Sequence, residues 1–224
     1  MEINLFSSQG EPSLRNIVEA SSPFLEKADD PAVAYLPAAC VGERYVGLTK
    51  TAFKGLADVL HLDPETQGRA RVEAALDKAA ILYIPGGNTY LLAHRLHNKD
   101  LVAQIRERII NGLPLVAFSA GTVLCGANVL TTNDLNCCGC TTFNGLGFVP
   151  FNFNVHYPSD EGDQREFRDE RLWEYQEFNS NPVLALEDSA HIRVTDSEVR
   201  LISGNCWLFE KGQARTKVEI GRIL

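Results

Sequence analysis

The stretch Pro114-Leu115-Val116-Ala117-Phe118-Ser119-Ala120-Gly121-Thr122 carries the main fold signal of this 224-residue chain. Its apolar run stops at Ser119 and small residues follow at once, which predicts a buried strand, a tight turn and the start of a helix. Such a turn lifts one hydroxyl above the sheet edge and directs the next N–H groups toward it. Because Ala117 takes the first position of the G-x-S-x-G motif, the match is partial. Ser119 is either a nucleophile that needs a base or a small residue that eases the turn.

Strand and helix patterns alternate on the N-terminal side of this stretch. Apolar runs predict strands at residues 2–7, 31–37 and 80–84. Amphipathic spacing predicts helices at residues 13–27, 45–60, 67–79, 89–96 and 101–111. This alternation predicts an α/β fold of three layers, α/β/α and flavodoxin-like, around a mostly parallel central sheet. Ligands bind at the carboxyl ends of such strands, so we expect Ser119 and Gly86-Gly87-Asn88 at one crevice.

The C-terminal half has a different pattern. Residues 129–136 and 145–156 are rich in Asn, Thr, Phe and Val, which favours strands and ordered loops over helices. A helix is predicted at residues 164–178, and short strands at residues 182–186, 191–195, 198–202 and 206–210. No linker or internal repeat interrupts the chain, so we expect one domain over residues 1–224.

Composition and charge narrow the functional classes. The net charge of -8 argues against a nucleic-acid binder, because such proteins present a basic surface. No apolar run reaches the roughly 18 residues that a membrane span requires, and no secretory leader is visible at the N-terminus. We therefore expect a cytoplasmic protein with no nucleic-acid or membrane partner. The sequence does not distinguish a monomer from a homodimer.

The six cysteines are expected to be reduced thiols in that compartment. One loop, Cys137-Cys138-Gly139-Cys140, invites a metal interpretation. Zinc sites need separated cysteine pairs or histidines at defined spacing, and the chain has no second pair. A plain thiol-bearing loop is the favoured interpretation, and no metal is expected.

A base for Ser119 must come from five histidines. His94 and His97 fall in a predicted helix with polar neighbours, and His61 precedes a predicted turn, so these three fit surface positions. His156 closes an apolar run and enters a loop with a proline, which suits a residue that faces the crevice. Its alternative is an ordinary loop histidine.

An orienting carboxylate for that base is offered by Glu187 and Asp188, which directly follow a predicted strand. Adjacent residues at a strand end point to opposite sides, so only one of the two is expected to face the site. The alternative is a solvated acidic turn. The order Ser, His, Asp also differs from the Ser, Asp, His order of α/β-hydrolases, which argues against an ordinary esterase or lipase.

Together these segments resemble peptidase family S51, the aspartyl dipeptidases or peptidase E, whose fold is similar to that of class I glutamine amidotransferases. The resemblance covers nearly the whole chain. It rests on five stretches, which are Pro85-Gly86-Gly87-Asn88-Thr89, Ser119-Ala120-Gly121, Thr131-Thr132-Asn133-Asp134, residues 149–157 (VPFNFNVHY) and residues 165–171 (REFRDER).

The resemblance implies a catalytic role for three matched residues. The family's nucleophile falls on Ser119 and its base on His156. Its acid is usually glutamate and falls here on Asp188, which is one methylene shorter, with Glu187 as the fallback. A Ser-His-Asp arrangement is chemically sound in other hydrolases.

Substrate contacts are implied in the same way. The N–H groups of Gly87 and Ala120 would form an oxyanion hole, where glycine lets the backbone approach the reacting carbonyl. Arg168 would hold an aspartate side chain through two parallel hydrogen bonds, and its alternative is a surface arginine. The remaining pocket residues are expected to be Asn88, Asn133 and Asp134. Asp134 could bind a free α-ammonium or belong to a turn.

The resemblance therefore implies a serine dipeptidase that takes small peptides with an N-terminal aspartate and needs no metal or organic cofactor. Four positions depart from the family pattern, namely Arg165 for glycine, Phe167 for threonine, Val123 for asparagine and Val155 for proline. The bulky residues beside Arg168 favour, as one alternative, a hydrolase of the same fold that acts on β-aspartyl or other acyl substrates. A non-catalytic ligand-binding relative is the other alternative, although such proteins often carry a cysteine at the elbow.

Overall fold

A computed structural model of the protein describes residues 1–9, 13–42 and 45–223. Its strands are β1 (Glu2–Phe6), β2 (Ala32–Tyr35), β3 (Asp58–His61), β4 (Ile81–Ile84), β5 (Leu115–Phe118), β6 (Asn152–Asn154), β7 (Val183–Leu186), β8 (His191–Thr195), β9 (Val199–Ser203), β10 (Cys206–Phe209), β11 (Thr216–Val218) and β12 (Gly221–Arg222). Its helices are α1 (Arg15–Leu25), α2 (Val46–Ala52), α3 (Arg69–Lys78), α4 (Thr89–Asn98), α5 (Val102–Ile110), α6 (Ala120–Leu124) and α7 (Asp163–Phe178).

An eight-stranded central sheet has the order β12-β9-β8-β1-β5-β4-β2-β3. The strands β1, β5, β4, β2 and β3 are parallel, and β8, β9 and β12 extend the sheet in antiparallel fashion. Every residue of β2, β4 and β5 is buried. Parallel strands that are covered on both faces need such uniformly apolar sequences.

Helices cover both faces of this sheet. On one face, Ile17 of α1 and Phe53 after α2 pack with Tyr35 and Tyr83. On the other face, α3, α4 and α5 contribute Leu76, Leu92 and Ile105 to the larger core. The predicted α/β fold with three layers and a mostly parallel sheet is therefore confirmed.

A second sheet carries part of the site. Its order is β11-β10-β7-β6, and β6 and β7 are parallel, with Asn154 opposite Ala185. The residues that follow these two strands therefore emerge at the same edge. They include His156 after β6 and Asp188 after β7.

The helix predicted at residues 45–60 is wrong in its second half. Helix α2 ends at Ala52, Gly55 turns the chain with a φ of 78°, and Asp58–His61 forms strand β3 at the edge of the central sheet. Val59 pairs there with Val33 of β2. The apolar spacing of this segment fits a helix and a short strand equally, and pairing with β2 decides between them.

None of the helices in the described ranges is long and apolar enough to cross a membrane.

Candidate active site

The turn between β5 and α6 holds Ser119 in an uncommon backbone conformation. Its φ is 51° and its ψ is -115°, a region that non-glycine residues avoid. The Ser119 N–H donates to the Phe6 carbonyl at the end of β1 over 3.0 Å, and the Ser119 carbonyl accepts the N–H of Val123. These two bonds hold the turn, so the hydroxyl stands above the sheet edge, as the sequence predicts.

His156 connects the Ser119 hydroxyl to a carboxylate. Its Nε2 lies 3.0 Å from Ser119 Oγ, and its Nδ1 lies 2.5 Å from Asp188 Oδ1. The backbone of His156 has a φ of 55°, in the left-handed region. Three side chains from distant parts of the chain thus form one hydrogen-bonded line, with the lengths that a nucleophile and its base require.

Glu187 faces away from this line. Its Oε1 accepts from Arg165 Nη2 over 3.0 Å and from Trp207 Nε1 over 3.1 Å, and its Oε2 accepts from Asn205 Nδ2 over 2.8 Å. These partners occupy both oxygens of a buried carboxylate. Neighbouring residues thus point to different sides, and Asp188 is the one that contacts His156.

Two of the expected site residues, Gly87 and Ala120, lie just after the paired strands β4 and β5. Ala120 begins α6, and Gly87 follows β4 with a φ of 139°. Neither N–H donates a hydrogen bond to any residue that the structure describes. A Cβ at Gly87 would lie 2.4 Å from the Ala39 carbonyl oxygen, so only glycine fits this turn without displacement. Both N–H groups are therefore available to donate to a ligand.

Arg168 lies on α7 at the edge of the same site. Its Nη1 donates to Asn154 Oδ1 over 3.0 Å and, over 3.3 Å, to the Val155 carbonyl. Burial lowers the pKa of Arg168 from its usual value, yet an arginine stays charged at neutral pH. Within the described residues its guanidinium has no carboxylate partner. It is thus a partly buried cation that can bind an acidic ligand.

The three other expected pocket residues have structural contacts. Asn88 caps α4, since its Oδ1 accepts from Leu91 N and its Nδ2 donates to the Leu135 carbonyl. Asn133 bonds the Val155 carbonyl and the Asn154 side chain. Asp134 Oδ2 accepts from the Thr89 N–H and the Thr132 hydroxyl. Asp134 Oδ1 has no hydrogen bond to a described residue, so this oxygen can accept a hydrogen bond from a ligand.

Arg165 and Phe167, the two bulky residues that depart from the family pattern beside Arg168, have different surroundings. Arg165 is buried and donates to the Pro158 and Ser159 carbonyls as well as to Glu161 and Glu187. It holds the loop after His156 and does not line the groove. Phe167 is 56% exposed and lines the groove with Arg171 over its ring.

The groove beside His156 and Arg168 has a volume of about 1540 Å³. Its lining includes His156, Asp188, Arg168, Asn133 and Asp134. Small-molecule pockets commonly measure roughly 300–1,000 Å³. The groove can therefore hold a dipeptide with room beyond it.

The cysteine loop lies apart from this chemistry. No disulfide joins any of the cysteines that the structure describes, and burial raises the pKa of the Cys140 thiol. In the part of the chain that the structure describes, no three His, Cys, Asp or Glu side chains are grouped so that they could hold a metal ion. Thiolates are the form of cysteine that binds zinc, so burial disfavours the metal-binding form of Cys140.

Asn154 has a positioning role that the sequence does not indicate. This buried residue of β6 accepts from Arg168 through Oδ1 and donates through Nδ2 to the Thr131 carbonyl and to Asn133 Oδ1. It therefore links the cation to the wall of the groove. The only signal is an asparagine on each side of Phe153 in a buried strand, where apolar residues are the rule.

Comparisons with known proteins identify a family model and relatives that are similar in sequence to this chain. A model of peptidase family S51 matches residues 3–202. A Drosophila melanogaster protein named "Probable alpha-aspartyl dipeptidase" is 36% identical over 156 residues, which are 67% of this chain and 62% of that protein, so the match spans under two thirds of that relative. A "Peptidase E" of Shewanella sp. (strain W3-18-1) is 32% identical over 195 residues, 85% of this chain and 82% of that one.

Solved structures share the fold. A peptidase from an acI-B1 Actinobacterium superposes with a TM-score of 0.72 and covers 98% of this chain and 94% of its own, at 18% identity. The expected fold is thereby confirmed.

Proposed function

Because the chain belongs to peptidase family S51, we propose that it is a serine dipeptidase that releases aspartate from dipeptides with an N-terminal aspartate. The observation that carries the proposal is the line from Ser119 Oγ through His156 to Asp188, with steps of 3.0 and 2.5 Å. Relatives named peptidase E and alpha-aspartyl dipeptidase support the choice of substrate.

The first half of the reaction forms an acyl-enzyme. His156 Nε2 takes the proton of the Ser119 hydroxyl as Oγ attacks the scissile carbonyl. The same nitrogen then gives that proton to the leaving amine, and the C–N bond breaks. Asp188 accepts from Nδ1–H, fixes the tautomer and stabilises the imidazolium while it is charged.

The second half returns the free enzyme. Water enters, His156 takes one of its protons, and the resulting hydroxide attacks the ester on Ser119. Collapse of this second intermediate returns the proton to Oγ and releases aspartate. In both halves the negative charge develops on the former carbonyl oxygen, and the Gly87 and Ala120 N–H groups stabilise it. Each such donor contributes about 3–4 kcal/mol to the lowering of a barrier.

Substrate recognition follows from charge. The Arg168 guanidinium binds the β-carboxylate of the substrate's aspartate, and Asp134 Oδ1 accepts from its α-ammonium. Asn88 and Asn133 support this pocket through their hydrogen bonds to the Leu135 and Val155 carbonyls. The net charge of -8 does not prevent the binding of an acidic substrate, because one partly buried cation at contact distance outweighs a screened surface field.

The proposed setting is the cytoplasm, which agrees with the lack of a disulfide among the described cysteines. The partner is a small peptide, and the mechanism uses no cofactor. We propose no oligomeric state beyond a monomer or a homodimer.

A panel of Asp-X dipeptides tests the function, with Ser119→Ala as the inactive control and Arg168→Lys as the specificity variant. Lysine keeps the charge but loses the paired hydrogen bonds, so kcat/KM for Asp-X should fall by about 30-fold or more. No cleavage of any Asp-X peptide by the wild type would refute the proposal. Failure of a fluorophosphonate to label Ser119 would favour a non-catalytic relative.

A second candidate is a hydrolase with a larger or β-aspartyl acyl substrate. Leu130, Phe167 and Phe178 all line the groove, with exposed fractions of 38%, 56% and 90%. Such apolar surface exceeds what a small acidic dipeptide would cover. Cleavage of β-aspartyl or N-acylated peptides in preference to Asp-X dipeptides would select this candidate.

A further inference from the structure

Ser7 is a fully buried polar residue that the mechanism above does not use. It directly follows β1, with an exposed fraction of 0%. Its Oγ donates to the Leu186 carbonyl over 2.9 Å and accepts the backbone N–H of His156 over 2.9 Å. Its own N–H donates to the Ala190 carbonyl over 3.1 Å. One small side chain thus joins the loop of the base to the loop of the acid.

The polarity of these bonds is fixed. A serine hydroxyl has a single proton, and the Leu186 carbonyl can only accept it. The lone pairs of Oγ are then left to accept the His156 N–H. The Leu186 carbonyl keeps a second donor, the Tyr157 N–H at 2.9 Å. Loss of the Ser7 hydroxyl would therefore leave one group without its partner, and that group is the N–H of the base.

This N–H belongs to a strained residue. His156 has a φ of 55°, a conformation that non-glycine residues adopt only when the surroundings hold them there. Without an acceptor on its N–H, the backbone of His156 can relax toward the right-handed region and swing the imidazole. The 3.0 Å contact with Ser119 Oγ and the 2.5 Å contact with Asp188 depend on that orientation.

The nucleophile is connected to the same point of the chain. The carbonyl of Phe6, the residue before Ser7, accepts the Ser119 N–H over 3.0 Å and the Thr122 hydroxyl over 2.7 Å. Phe6 and Ser7, at the end of β1, thus form hydrogen bonds with all three loops that carry Ser119, His156 and Asp188.

We propose that Ser7 is a positioning residue, whose buried hydroxyl sets the orientation of His156 between Ser119 and Asp188. This inference rests on the proposed function. Removal of the hydroxyl should therefore slow the chemical step and leave the binding of substrate nearly unchanged, because Ser7 contacts neither Arg168 nor the groove.

The test compares Ser7→Ala, Ser7→Thr and Ser21→Ala with the wild type. Ser21 is the matched control, because it is also 0% exposed and its Oγ donates to a carbonyl, that of Ile17, within α1. In Ser7→Ala, kcat should fall about 10- to 100-fold, since a misplacement of about 1 Å can cost 10²-fold. KM should change less than threefold, and fluorophosphonate labelling should slow in parallel with kcat.

Ser7→Thr keeps the hydroxyl and should recover most of the lost kcat, while Ser21→Ala should keep the wild-type rate. Folding of each variant is checked by circular dichroism and thermal unfolding. Wild-type kcat in folded Ser7→Ala would overturn the proposal, and so would a failure of Ser7→Ala alone to fold, because Ser7 would then be a structural residue. Inactivity of the wild type toward both Asp-X peptides and the fluorophosphonate would instead refute the proposed function.

Discussion

Arg165 Nη2 donates a 3.0 Å hydrogen bond to Glu187 Oε1, and the two side chains are only 3% and 7% exposed. The Arg165 guanidinium also lies over the rings of Tyr157 and Trp207, 5.0 and 5.1 Å from their centres. A carboxylate held in this way cannot turn toward His156. The pair therefore leaves the next residue, Asp188, as the one that reaches the imidazole.

Replacement of Arg165 by methionine should destabilise the protein by about 3–5 kcal/mol, because the Glu187 carboxylate would stay buried without its cation. Urea denaturation at pH 7 measures this change. The double variant Arg165→Met, Glu187→Gln should recover much of the loss, and Arg171→Met, which removes an exposed arginine of the same helix, should cost about 1 kcal/mol or less. Equal losses of stability in Arg165→Met and Arg171→Met would contradict a buried ion pair between Arg165 and Glu187.

Asp188→Asn should lower kcat/KM for an Asp-X dipeptide by about 10⁴-fold, because an amide can hold the wrong tautomer of His156. Asp188→Glu keeps the carboxylate and should retain far more activity. Glu187→Gln should reduce stability and leave kcat/KM of the folded protein within about tenfold of the wild type. A loss in folded Glu187→Gln as large as that in Asp188→Asn would show that Glu187 takes part in the chemistry.

The N-terminal half of the fold could be predicted because its buried parallel strands are continuous apolar runs with helical patterns between them. The apolar pattern does not identify strand β3, because these four residues at the sheet edge become a strand only through pairing with β2. The strands β11 (Thr216–Val218) and β12 (Gly221–Arg222) were not predicted either, because they are too short to show a period.

The residues of the site also differ in how far the sequence indicates them. Local signals mark Ser119 and Gly87, because a strained turn needs small neighbours. The choice between Asp188 and Glu187 cannot be made locally, since Arg165, Asn205 and Trp207 come from other segments and meet Glu187 only in the folded chain.

Gly87→Ala should reduce kcat about 10²- to 10³-fold, because a Cβ 2.4 Å from the Ala39 carbonyl oxygen forces the turn to shift and moves one oxyanion donor. Gly55→Ala is the matched control, since Gly55 also has a positive φ, 78°, but nothing lies within 4 Å of its Cβ position. It should cost about 1 kcal/mol of stability and no activity. Equal kcat in the two variants would contradict a role for the Gly87 N–H.

His191 should make the stability of the protein depend on pH. It lies against Phe6, with ring centres 4.1 Å apart, and its Nε2 lies 2.9 Å from Asn4 Oδ1. Burial, and next the charge of Arg193, lower the pKa of His191 from 6.5 to about 4. Between these two values the folded protein binds fewer protons than the unfolded chain, so the free energy of unfolding rises with pH.

The contribution of His191 is therefore fully present above pH 6.5 and is lost as the pH falls toward 4. Between pH 7 and pH 5 the wild type should lose about 2 kcal/mol more stability than His191→Gln, which has no group to protonate there. Urea denaturation of both proteins at the two pH values measures the difference. Equal losses would mean that the imidazole is protonated as easily in the folded protein as in the unfolded chain, and that its burial against Phe6 is relieved at low pH.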